Sequence, residues 1–217
     1  MNLDELLARK IESGREYRRF DASGLQTRSE DSNDDGAMIV EGYATVFNVP
    51  YELFSMDGYT VSEQVDSKAF EGCDMDDVIM QYDHIGRVFA RISNKTLTVD
   101  PDAHGLKIRA DLSGTELGRQ LYQEIRDGYT TKMSFGFVVD KDERKVEEDH
   151  ETGTVSVLRT ITKIRKLYDV SAVSLPANDT TEISARNLSE GVIKEVAEEC
   201  RKRARSILSL RLKLMEV

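Results

Sequence analysis

Ser134, His84 and Asp169 are the residues whose types and settings could do chemistry together, and that chemistry would be acyl transfer. Ser134 lies in TTKMSFGFVV, residues 130–139, which reads as a β-strand with Met133, Phe135, Phe137 and Val139 on one side. Ser134 and Gly136 fall on the other side. A serine hydroxyl attacks only when a base takes its proton, and a strand holds it rigidly enough for that. Gly136 removes a side chain from the same face, which leaves room for a substrate backbone. Taken alone, such a strand more often carries a solvent-facing serine on a half-buried surface.

A base is available in QYDHIGRVFAR, just past the short apolar run VIM. His84 sits there at the edge of core strand, and the glycine that follows implies a turn and an exposed position. Imidazole is the side chain best suited to accept and return a proton near neutral pH. A hydrogen-bonded structural histidine fits the same pattern equally well. The other two histidines, His104 in DPDAHG and His150 in EEDHETG, read as solvated turn residues. Asp169 lies in KLYDVSAVSLPAN, where Leu167, Asp169 and Ser171 share one face. A carboxylate inside an apolar strand is costly unless paired. A histidine N–H is an apt partner, because the acid then fixes the tautomer and stabilises the imidazolium. A surface acid, or an ion pair with Arg165 or Lys166, explains the residue as well.

The elements that must position these groups are mostly strands. Residues 1–20 read as a short amphipathic helix, and DASGLQTRSEDSNDDG as a linker rich in Ser, Asp and Gly. AMIVEGYATVF opens the core. VPYELFSMDGYTVSEQVDSKAF reads as an irregular excursion returning through YTVSEQV. Three short strands follow from Gly86 to Leu112, with turns at Ser93–Asn94 and Asp100–Gly105. SGTELGRQLYQEIRDG is the clearest helix of the body, with Ser113 as cap, Glu116 closing a capping box, a stripe of Leu117, Leu121 and Ile125, and Gly128 at its end. DKDERKVEEDHETGTV reads as a charged hairpin tip or mobile loop, and VSVLRTITKIRKLYDVSAVSLPAN as two strands broken near Arg165–Lys166. Residues 187–217 read as a long amphipathic helix, basic at its end. The domain reading is thus 1–36 helix and linker, 37–186 body, and 187–217 C-terminal helix. The fold class is mainly β with peripheral helices, an α+β arrangement built on a barrel or sandwich.

Composition narrows the field. The chain has 217 residues and a net charge of −10, which argues against general nucleic-acid binding. From Arg201 onward six basic residues stand against one acid, so the tail is +5 and the remainder −15. That asymmetry suits an acidic partner or the acidic body itself. No apolar run approaches the ~18 residues of a membrane span, and the first 20 residues lack a signal-peptide pattern. Cys73 and Cys200 match no zinc or redox spacing, which points to a cytosolic, reducing origin. Neither a cofactor nor a metal is expected, since the histidines lack the pairing of a zinc helix.

Taken in order, EGYATVF, SEQVDSKAF, QYDHIGRVFAR, IRDGYTTKMSFGF and YDVSAVSLPAN resemble the prohead (capsid maturation) proteases of tailed phages of the HK97 type, from about Glu41 to about Ala185. MSFGF and VSAVSLPAN are the most specific blocks. The resemblance implies a herpesvirus-protease-like β-barrel surrounded by helices, with Ser134 as nucleophile and His84 as general base. Family members often carry Glu where this chain has Asp169, and the related herpesvirus enzymes use a second histidine, so His104 and His150 are the alternatives for the third position. The implied substrates are scaffold or the scaffolding segment of the major capsid protein, and the enzyme itself. Cutting would take place inside the procapsid in the host cytoplasm. Residues 21–36 and the junction after Ala185 are the expected self-cleavage zones, and an arginine such as Arg159 or Arg165 could assist backbone N–H groups at the oxyanion. The terminal helix could pair with scaffold helices, pack on its own barrel, or meet a second copy of the chain. A non-enzymatic assembly protein on the same fold is the competing reading. It would gain if Ser134 and His84 lay on opposite faces.

Overall fold

The computed structural model describes residues 14–20, 25–28, 37–56, 58–149, 151–173, 191–202 and 205–206. In chain order the elements are β1 (Glu16–Phe20), β2 (Gln26–Arg28), β3 (Ile39–Val46), β4 (Tyr51–Met56), β5 (Tyr59–Val65), β6 (Ile79–Tyr82), β7 (Ile85–Arg91), β8 (Leu97–Pro101), β9 (Gly105–Asp111), α1 (Glu116–Arg126), β10 (Lys132–Asp149) and β11 (Thr154–Val173). A second helix, α2, covers residues 191–202.

The strands form two sheets. One runs β2-β3-β9-β8; the other has seven strands, with β1-β10-β11-β5-β4 along its main path and β6 and β7 beside β11. Among the described residues neither sheet closes on itself, so the observed architecture is two open sheets with helices rather than a closed barrel. The long β10–β11 hairpin is the spine. Twenty residues of β11 are enough for two short strands to share one edge: β5 pairs parallel with Val155–Ile161 and β6 with Asp169–Ala172. Val40, Ala44, Leu106 and Ile108 of the small sheet join Met80, Met133, Phe135, Phe137, Ile161, Ile164, Leu167 and Val170 of the large one in a single buried cluster. Each large apolar side chain buried there contributes roughly 1.5–3 kcal/mol.

Several sequence expectations change on folding. Residues 16–20 are strand, not helix, because their backbone groups pair with β10; residues 1–13 lie outside the described set. The charged stretch after Val139 continues β10 as a paired strand, with its partner strand supplying the hydrogen bonds that a polar sequence does not advertise. β11 is unbroken at Arg165–Lys166, since irregular register against β10 absorbs the misfit there. Tyr51–Met56 and Tyr59–Val65 pair as an antiparallel hairpin, β4–β5, with a register shift between Glu52 and Phe54 and positive φ at Gly58. Helix α1 is capped by Thr115, whose hydroxyl accepts from Gly118 N–H at 2.9 Å, and not by Ser113. Leu121 and Ile125 are buried on it while Leu117 is exposed.

Helix α2 packs on its own chain. Val192 and Val196 join Val61, Val155 and Val157, and Arg144 pairs with Glu195 at 2.7 Å. The rest of the 187–217 segment lies outside the described residues apart from positions 205–206, as do the junction after Ala185 and most of 21–36.

Candidate active site

The sequence of β10 folds with both faces covered: Met133 through Val138 are all buried. Ser134 is therefore enclosed, at 1% exposure, and not solvent-facing. Its ladder partner on β11 is Ser171, and Gly136 pairs with Asp169. A bulge follows, so that Phe137 pairs with Leu167 and Tyr168 is skipped.

His84 arrives from the other side of β11. Strand β6 runs parallel to β11 and ends at Tyr82, opposite Ala172. Asp83 and His84 then form a two-residue turn, both with positive φ (48° and 61°), and Ile85 starts β7 opposite Tyr82. That left-handed geometry suits a tight hairpin but disfavours residues with a Cβ. It is held by Asp83 N–H donating to Ala172 O at 3.0 Å and His84 N–H donating to Ser171 Oγ at 3.2 Å. The turn aims the imidazole back over β10 and β11, where it is buried at 3% exposure.

The three side chains singled out in the sequence meet. His84 Nδ1 lies 2.5 Å from Asp169 Oδ1, and His84 Nε2 lies 2.5 Å from Ser134 Oγ. With Nδ1–H donated to the carboxylate, Nε2 is left as the acceptor facing the serine. Ser171 Oγ donates to Asp169 Oδ1 at 3.1 Å while accepting from His84 N–H, so one hydroxyl ties the carboxylate to the histidine backbone. The alternation of β11 shows that Ser171 shares a face with Asp169, but its contact with the His84 backbone depends on the β6–β7 turn.

Gly136 serves a different purpose from the one expected. A Cβ there would collide with Asp169 Oδ2 and lie 2.8 Å from Tyr17 Cε1. The missing side chain makes room for the carboxylate, not for a substrate backbone. Tyr17 of β1 covers the site, its ring centroid 4.5 Å from that of His84. Burial, with the charge of Asp169 adding, pushes its hydroxyl up to about 12, so it stays neutral beside the histidine.

Strand β1 also reaches the serine. Arg19 pairs with Ser134 in the ladder, and Ser134 Oγ lies 2.8 Å from the carbonyl oxygen of Arg18. The hydroxyl thus has one proton and two acceptors in reach, Arg18 O and His84 Nε2. Of the arginines considered for the oxyanion, Arg159 is engaged by Glu16, Glu63 and Asp142, and Arg165 is exposed. His104 packs edge-on against Tyr43 in an exposed turn, and His150 lies outside the described residues. Among the described residues no group of His, Cys, Asp and Glu side chains is arranged to hold a metal ion, and no helix is long and apolar enough to cross a membrane.

A hydroxyl, an imidazole and a carboxylate in hydrogen-bonded series are the working parts of a serine hydrolase. The chain belongs to the caudovirus prohead serine protease family, whose model matches residues 23–195. Neither a curated protein nor a solved structure matches the chain closely enough to count as a relative.

Proposed function

We propose that the chain is a serine endopeptidase of procapsid maturation in which Ser134 is the nucleophile, His84 the general base and then acid, and Asp169 the group that orients and stabilises the imidazolium. The continuous series Asp169–His84–Ser134, with both links at 2.5 Å, carries this reading. His84 Nε2 takes the Ser134 proton as Oγ bonds to the peptide carbonyl carbon; the protonated imidazole then gives that proton to the leaving amine, and water repeats the cycle on the ester. Family membership supports capsid proteins as substrates. Within that class the scaffold, or the scaffolding segment of the major capsid protein, is the proposed target, cut inside the procapsid in the host cytoplasm.

Co-expression with the cognate capsid protein, followed by intact mass measurement, tests the proposal. The wild-type chain should yield discrete capsid fragments. Ser134→Ala should fold normally and lower turnover by ~10⁶. A Ser134→Ala chain that still cuts would remove Ser134 from the reaction. An inactive wild type would favour the non-enzymatic assembly reading, which asks nothing of these three side chains.

A further inference from the structure

Strand β1 lies on the edge of β10 as an added strand, the way an extended peptide docks on an open sheet edge. It precedes residue 23, where the family match begins. Its Arg18 carbonyl oxygen sits at the serine hydroxyl, 2.8 Å away. The preceding residue, Tyr17, packs its ring on His84. The Arg18 side chain enters a closed pocket. Its Nε donates to Glu63 Oε1 at 2.6 Å and its Nη2 to Glu63 Oε2 at 3.1 Å, a two-pronged bond to a carboxylate with 0% exposure. Nη2 also donates to Glu16 at 2.6 Å, and Nη1 to the Tyr17 carbonyl at 2.9 Å. Glu63 is fixed from behind by the Tyr51 hydroxyl at 2.5 Å and by Arg159 at 2.7 Å.

We infer that the Glu63 pocket is the subsite for a basic side chain on the residue whose carbonyl is attacked, and that β1 is its resident occupant, presenting the Arg18–Arg19 bond to Ser134. This rests on the proposed proteolysis and gives it a substrate class: an extended peptide with arginine, or less well lysine, before the cut bond. The charge balance favours a cation. When β1 leaves, Arg18 and Glu16 leave together, and the network retains two acids, Glu63 and Asp142, against one guanidinium, Arg159. Planar two-pronged geometry favours arginine over the point charge of lysine. A neutral side chain would leave the buried Glu63 short of a partner, and sites built for a polar group reject analogues that lack it. The seated strand also restrains the enzyme, because its carbonyl competes with His84 for the serine proton and its backbone fills the docking edge. If β1 is cut, Oγ bonds to the Arg18 carbonyl carbon, the Arg18–Arg19 C–N bond breaks, His84 protonates the Arg19 amine, and water releases the Arg18 acid.

Peptidyl diphenyl phosphonates, which phosphonylate a catalytic serine, test the pocket on the full chain. Probes of sequence Glu-Tyr-X are compared, where X bears a guanidinium, an ammonium or a neutral group of equal length, and Ser134 labelling is followed by mass spectrometry. The guanidinium probe should label at least ~100-fold faster than the neutral one, with the ammonium probe between. Arg18→Ala, which loosens the occupant, should raise the guanidinium rate ~10-fold, and Glu63→Gln should shrink the preference at least ~10-fold. Equal labelling by the neutral and guanidinium probes on the wild-type chain would overturn the pocket while leaving Ser134 as nucleophile. Failure of every probe to label Ser134, joined with no cutting of capsid protein, would overturn the proteolysis reading and the pocket with it.

Discussion

Gly136 and Asp169 face each other across the β10–β11 ladder, and the side chain missing from the first is the space filled by the carboxylate of the second. Gly136→Ala should therefore act on chemistry more than on folding. The added methyl pushes Asp169 away from His84. Turnover should fall ~10²-fold or more, while overpacking costs about 1–3 kcal/mol of stability. Cleavage rates and urea midpoints measured on the same preparation check both. Unchanged turnover in a folded Gly136→Ala chain would mean that the carboxylate position is immaterial.

Asp169→Asn keeps the shape but replaces the acceptor charge at His84 Nδ1, 2.5 Å away. The amide can orient the wrong tautomer and cannot stabilise the imidazolium. A loss of ~10⁴ in turnover is expected with little change in melting temperature. Wild-type cleavage by this variant would exclude Asp169 from the mechanism.

Ser171→Ala removes the acceptor 3.2 Å from His84 N–H and the donor 3.1 Å from Asp169 Oδ1. Ser171 positions the other two groups and touches no reacting atom. Its loss should lower kcat ~10-fold with KM unchanged and cost about 1–2 kcal/mol, since a buried polar contact is lost on each side. A change confined to KM would contradict a positioning role.

The anchoring of β1 should be pH-dependent through Glu16. Burial pushes the Glu16 carboxyl up, but the hydrogen bond from Arg159 and the charges of Arg18 and Arg159 outweigh it and hold it below 4.5. A depressed carboxylate stabilises the fold above its unfolded value and loses that contribution as pH falls through its folded value. Urea midpoints should thus drop as pH falls below the ordinary glutamate range, and Glu16→Gln should flatten that part of the curve. Parallel curves for the two chains would show that Glu16 does not couple to folding.

The amino-acid order alone singled out Ser134 and His84, offered Asp169 for the third position with His104 and His150 as alternatives, and pointed through MSFGF and VSAVSLPAN to the family. Period-two alternation, a local property, puts Ser134 with Gly136 and Asp169 with Ser171, while the roles of these residues and the family rest on the resemblance of the quoted blocks. It does not say what covers each face. Burial of Ser134, the His84 turn with two positive φ values, and the fit of Asp169 into the gap at Gly136 all depend on segments 33 to 85 residues apart in sequence. The strand state of residues 16–20 is the sharpest case. EYRRF carries too much charge to signal a buried strand, and Arg18 is enclosed only because Glu63, 45 positions away, supplies the opposite charge. Pairing partners, and the compensation of buried charge that they bring, belong to the tertiary structure because the groups that provide them are distant in the chain.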